Sequence, residues 1–162
     1  MTKLLLSPDE TENKRLKQVF RNIINRSKSS KYPFNVIFSE DSFIKWYINE
    51  KNRLQNKCTY CGSDQYKISE LIHVGIHTNG EYGLFSKRFI NRGHHLEVDR
   101  MNPCVEYSER NCCLICYFCN NDKSDIYTSD IYRKYFIDIT SVDNKTLRKH
   151  FIDDMYELLT HS

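Results

Sequence analysis

Two C-x-x-C pairs constrain this chain more than any other feature: Cys58 with Cys61, and Cys116 with Cys119, separated by 54 intervening residues. Two residues between cysteines let a tight turn aim both sulfurs at one ion about 2.3 Å away, and two such turns complete a four-thiolate zinc site. A redox dithiol would account for one pair and leave the other unexplained. The separation exceeds the usual span of about 15 to 20 residues, so the chain between the pairs loops out and returns, and the ion staples that excursion closed. Seven cysteines is an odd number, which argues for a reducing compartment over a disulfide framework. Cys112 and Cys113 are neighbours on an extended stretch, point to opposite faces and read as small buried hydrophobes. Cys104 lies in a loop and has no assigned role.

With 162 residues, 40% apolar and 28% charged, the composition fits one compact globular domain. No run approaches the roughly 20 apolar residues of a membrane helix. The opening MTKLLLSPDE has too short an apolar stretch for a signal peptide, so the reading is cytoplasmic with no membrane partner. The net charge of +3 conceals an asymmetry: residues 1–57 carry 12 Lys or Arg against 6 Asp or Glu, and the remainder sums to −3. Seven cations and no acid lie between Asn13 and Ser39, an electrostatic footprint suited to a phosphate backbone.

Apolar residues at Leu16, Val19, Phe20, Ile23 and Ile24 predict an amphipathic helix over 9–27. A second helix is expected over 39–54, with Ser39 as N-cap and Phe43, Trp46, Tyr47 and Leu54 inward. Residues 62–93 show Gly75, Gly80 and Gly83 as turn signals and read as short strands and loops. The segment HHLEVDR (94–100) reads as a strand, 101–110 as a loop and NCCLI (111–115) as a second strand. A helix follows from near Cys119 and breaks around Thr128, where Ser129 or Asp130 could cap a restart. A final helix over 141–159 places Leu147, Phe151, Met155 and Leu158 on one side.

The run LEVDRMNP, followed by YSERNCCLICYFCNNDKSD, resembles the HNH nucleases of the ββα-metal superfamily. Their pattern is a strand ending D-H-x-x-P, an asparagine some residues later, then C-x-x-C-[NH]-x-x-K. The chain is similar above all to the small homodimeric rare-cutting HNH type II restriction endonucleases. It shares their V-D-R tripeptide, a Y-S-x-x-N loop, C-x-x-C-N-x-x-K-S and an upstream helix carrying Phe38, Phe43, Trp46 and Tyr47. The resemblance implies an α+β fold in which a zinc-stapled ββα-metal core is flanked by amino-terminal and carboxy-terminal helices. Residues 1–57 would be a basic helical region packing on the core, 58–127 the nuclease core and 128–162 the carboxy-terminal helices.

Structural Zn2+ on Cys58, Cys61, Cys116 and Cys119 is then joined by catalytic Mg2+ or Mn2+ on Asp99 and Asn120, because phosphodiester hydrolysis calls for a hard cation and oxygen ligands. Asn111 would tie the intervening loop and so set the direction of Asp99, and Lys123 would sit near a phosphate. Where most HNH enzymes carry the general-base histidine, this chain has Arg100, which stays protonated near neutral pH and suits charge stabilisation at the scissile phosphate. The base must come from elsewhere. His95 is the first choice, since residues 95, 97 and 99 share a strand face. His94, His73 and His77 are alternatives, and the resemblance implies a tyrosine, which adds Tyr60 and Tyr82. Glu97 reads as a solvated strand residue in preference to a third metal ligand.

The implied activity is DNA cleavage to 5'-phosphate and 3'-hydroxyl ends by a restriction-type homodimer acting on double-stranded DNA. A homing or mobile-element nuclease would share the same site. The missing histidine keeps open a non-catalytic zinc-knuckle module that only binds nucleic acid.

Overall fold

The computed structural model describes residues 8–29, 34–77, 92–138, 141–142 and 145–160. Helix α1 (Pro8–Ser29) begins with proline at its first position and Asp9 and Glu10 in its first turn, and it ends with Arg26 and Lys28 in its last, each placed as the helix dipole favours. Leu16 and Ile23 are buried. Helix α2 (Glu40–Arg53) is opened by a capping box: Ser39 Oγ accepts from the Ser42 N–H, and Ser42 Oγ accepts from the Ser39 N–H. Phe43 and Tyr47 of α2 pack with Phe38, Trp46, Leu16 and Ile23 into an aromatic-rich cluster.

Residues 65–77, read above as strands and loops, instead form helix α3 (Gln65–His77). Ile68, Leu71 and Ile72 are fully or almost fully buried, and with Ile76 they follow helical spacing. The glycine at 75 costs propensity, but burial of that stripe outweighs it. Tyr82 and residues 78–91 lie outside the described residues.

Strands β1 (Glu97–Arg100) and β2 (Cys112–Ile115) pair antiparallel, with Asp99 opposite Cys113 and Arg100 opposite Cys112. Strand β1 is shorter than expected, and His94 and His95 occupy a bend before it. Gly93, at φ +89°, lets that bend pass over α3 and α4, since a Cβ there would collide with Ile72 and press on Tyr117. Helix α4 (Tyr117–Lys123) follows β2 directly, with Cys116 as its N-cap, completing a ββα unit. Helix α5 (Ser129–Tyr132) is capped by Thr128, one residue earlier than expected, and continues into a π-helical stretch, Arg133–Asp138.

The expected helix over 141–159 is shortened by a small hairpin, β3 (Ser141–Val142) with β4 (Lys145–Thr146), before α6 (Leu147–Thr160). The face of α6 also differs. Ile152 is buried and Met155 and Tyr156 pack on the core, whereas Leu147, Phe151 and Leu158 are exposed. Among the described residues, no helix is long and apolar enough to cross a membrane.

Candidate active site

The four paired cysteines converge as the spacing requires. Their sulfurs lie within 4.8 Å of one another and all four residues are buried. The Cys61–Cys116 edge is 3.8 Å, and a tetrahedron with zinc–sulfur bonds of about 2.3 Å has edges of about 3.8 Å. The thiols perturb one another: hydrogen bonding to Cys116, Cys119 and Cys58 pulls the Cys61 pKa down, while Cys116 and Cys119 are pushed up. The donor set fits zinc. The first knuckle is tied to the hairpin, because Thr59 donates to the Leu114 carbonyl through both N–H and hydroxyl.

Beside this cluster, strand β1 turns Glu97 and Asp99 to one face. Asp99 is buried and both its oxygens are engaged: Oδ1 accepts from Lys123 Nζ at 3.1 Å, and Oδ2 from the Tyr60 hydroxyl at 3.0 Å. Burial pushes the Asp99 carboxyl above its ordinary pKa against the opposing pull of Lys123. With its proton on Asp99, Tyr60 accepts from Ser129 Oγ at 2.5 Å and lies 3.7 Å from the Cys113 sulfur. Burial, then Cys113 and Asp99, push the Tyr60 phenol well above its usual value.

Lys123 does not sit at a surface where a phosphate could reach it. It is fully buried, and its ammonium binds Asp99 and the Arg100 carbonyl. A helical turn beyond Asn120 points inward here because α4 lies against β1, and an interior ammonium needs such partners. Glu97 is likewise no solvated strand residue: Arg92 grips its carboxylate with Nε and Nη2, and Asn120 Nδ2 donates to it at 2.5 Å.

Asn111 stands one residue before β2 and is fully employed. Its amide oxygen accepts from the Asn102 N–H, and its amide nitrogen donates to the carbonyls of Asn102 and Glu106. These bonds close the loop after Asp99. Arg100, 6% exposed, donates to Asp125 at 3.0 Å and lies over the rings of Phe34 and Tyr107.

A cleft of about 950 Å³ runs between α1 and the ββα unit; Glu97, Asp99, Arg100, Asn120, His94, His95 and Asp125 line it. The strand-face argument for His95 fails because residue 95 precedes the strand, yet the bend still brings it to the cleft. Enclosure, then the Arg15 guanidinium, lowers the His95 pKa. His94 Nδ1 is 3.5 Å from Ser69 Oγ. His73 is an exposed residue of α3 and does not line the cleft; His77 ends the same helix. Sequence reasoning missed Phe34, Tyr107, Ser129 and Asp125. Tyr107 opens the Y-S-x-x-N loop but carried no site role there, the other three belong to no motif, and only tertiary packing brings all four to the site.

No family model matches the sequence, and no curated protein matches it. A solved structure does: PacI, a rare-cutting HNH restriction endonuclease described for an extraordinary mechanism of DNA perturbation, at a TM-score of 0.54 and 23% identity over 74% of this chain and 72% of PacI. The chain shares the fold of PacI over that span. The likeness therefore extends well beyond the ββα unit, to about three quarters of the chain.

Proposed function

We propose that this chain is a metal-dependent endonuclease of restriction type, hydrolysing double-stranded DNA to 5'-phosphate and 3'-hydroxyl ends as a cytoplasmic homodimer. The observation that carries the reading is one cleft in which Asp99, Asn120 and Arg100 meet beside a four-thiolate cluster, in a chain sharing the fold of a DNA-perturbing enzyme. Charge supports it too, since Arg26 and other polar residues of α1 form the opposite wall.

The oxygen donors fit a hard divalent cation. Asp99 would hold it with the amide oxygen of Asn120, whose nitrogen is engaged by Glu97. When bound, such an ion neutralises charge developing on the phosphorane and the departing 3' oxygen. Arg100 would share that task through its planar fork. His95, kept neutral at pH 7 by its lowered pKa, accepts the proton of the attacking water. Tyr60 is the weaker candidate for the base, because its buried phenol donates to Asp99 and is held protonated. Loss of activity in Tyr60→Phe with His95→Ala unaffected would select it. Asn111 acts indirectly, by fixing the loop that follows Asp99.

Digestion of a large plasmid in Mg2+ or Mn2+, followed by sequencing of the ends, tests the proposal. Discrete fragments are expected, and Asp99→Asn abolishes them while duplex binding persists. Wild-type protein that never nicks DNA in either metal would overturn the nuclease reading. The non-catalytic zinc-knuckle module would then stand, and one observation already favours it: the Lys123 ammonium neutralises the carboxylate that a cation needs.

A further inference from the structure

Arg100 is the most deeply buried cation of the cleft and keeps a donor without a partner. Its Cζ lies 4.2 Å from the centroid of Phe34 and 5.0 Å from that of Tyr107, and those rings pack with centroids 5.2 Å apart. The platform is anchored from two directions: the Tyr107 N–H donates to the Asn35 carbonyl, and the Ile37 N–H to the Tyr107 carbonyl. Stacking on aromatic faces holds a guanidinium in plane while leaving its edges available for hydrogen bonds.

Those edges are underused. Nη1 reaches the Val105 carbonyl at a long 3.4 Å, Nη2 donates to Asp125 Oδ1 at 3.0 Å, and Nε is buried without any hydrogen-bond partner. An unmade bond on a buried charged donor is costly, and Nε with Nη2 forms the guanidinium edge that grips an oxyanion with two parallel bonds. Asp125 fills half of that edge. It is also the least anchored member of the site, 78% exposed on the turn after α4.

We propose that Asp125 is a surrogate anion, holding Arg100 in the free protein at the place a DNA phosphate takes in the complex. A backbone phosphate displaces the Asp125 carboxylate and satisfies Nε and Nη2 together. The platform of Phe34 and Tyr107 keeps the guanidinium in position through the exchange. Asp125 is then a positioning residue that competes with substrate and takes no part in the chemistry. The inference rests on the nuclease reading above.

The test is steady-state cleavage, by the full chain in Mg2+, of a duplex containing the site identified by end sequencing. Asp125→Asn should lower KM about threefold, the scale of an exposed ion pair, with kcat unchanged within about twofold. The same substitution made on Arg100→Lys should give no gain. An equal gain in that background would assign the effect to general charge repulsion and overturn the proposal. So would an unchanged KM, or a fall in kcat large enough to place Asp125 in the reaction itself. As a readout independent of the Arg100 variant, the Arg100 Nε–H resonance should shift on adding duplex in Ca2+, and a resonance that stays in place sinks the idea. Wild-type protein that neither binds nor nicks DNA would overturn the nuclease reading along with it; a duplex cut normally with Asp125→Asn silent defeats this inference alone.

Discussion

The two faces of the β1–β2 hairpin support two unlike cores. Cys113 and Ile115 belong to a cluster that includes all four paired cysteines, with Ile68, Leu71 and Ile72 of α3 and Ile152 of α6. Leu96, Cys112 and Leu114 belong to the other, with Leu16 and Ile23 of α1 and Phe43 and Tyr47 of α2. The first surrounds the sulfur cluster and lies against the buried Asp99–Lys123 pair. The second is built from apolar contact and tilted or edge-on aromatic rings, with the Tyr47 hydroxyl donating to the Leu96 carbonyl at 2.6 Å. Adjacent cysteines therefore have different fates: Cys113 faces Tyr60 and Asp99, while Cys112 is a small apolar filler on the other side. A hairpin four residue pairs long separates a core whose thiols could hold a cation from one built on shape.

The largest effect should come from chelating the zinc that the four thiols would hold. Structural zinc supplies on the order of 10 kcal/mol of folding free energy, comparable to the whole stability of a typical domain. A strong chelator should therefore unfold the chain. Trp46, the single tryptophan, packs against the second cluster and reports whether the damage spreads. Because the hairpin is a wall of both cores, its fluorescence should change at the same chelator concentration as the loss of helical circular dichroism. An unaltered Trp46 signal in metal-free protein would show the second core to be self-sufficient.

Next in size is the buried ion pair. Lys123→Met leaves the Asp99 carboxylate without its ammonium, and breaking a buried pair from one side costs roughly 3–5 kcal/mol. The pH dependence has a definite sign. Asp99 already has a raised pKa in the folded state, and loss of Lys123 raises it further. The folded state then holds a proton that the unfolded chain has released, so stability falls as pH rises through the interval between the ordinary and the raised value. The penalty of Lys123→Met should shrink as pH falls toward the ordinary carboxylate range, as read from denaturant midpoints without added Mg2+. A penalty independent of pH would place its origin in packing.

The same contrast explains what the sequence discloses. Local chemistry is legible: the C-x-x-C spacing marks the sulfur cluster, the alternation of LEVDR marks β1, and Ser39 before a run rich in aromatics marks the start of α2. Helix α3 is obscured because Gly75 imitates a turn signal in a segment whose apolar stripe is only one face wide. The inward course of Lys123 is invisible because a lysine one turn past Asn120 looks like a surface cation until β1 is placed beneath it. Phe34 reaches Arg100 only through the Val36–Tyr107 bridge, an association over some 70 residues of chain. The exposed Leu147, Phe151 and Leu158 show a further limit: periodicity locates an apolar stripe, and the neighbouring elements decide which stripe is buried.

The smallest effect should fall on the second core alone. Ser39 and Ser42 satisfy each other's backbone N–H at the start of α2, and losing an N-cap hydroxyl costs about 1 kcal/mol. Ser39 is exposed, so Ser39→Ala opens no cavity and touches neither the sulfur cluster nor the cleft. The variant should lower the melting temperature by a few degrees while retaining the zinc content and cleavage pattern of the parent. A loss of zinc on this substitution would mean that the two cores communicate through α2 more strongly than a hairpin of four residue pairs allows, and that the division between them is one of composition and not of stability.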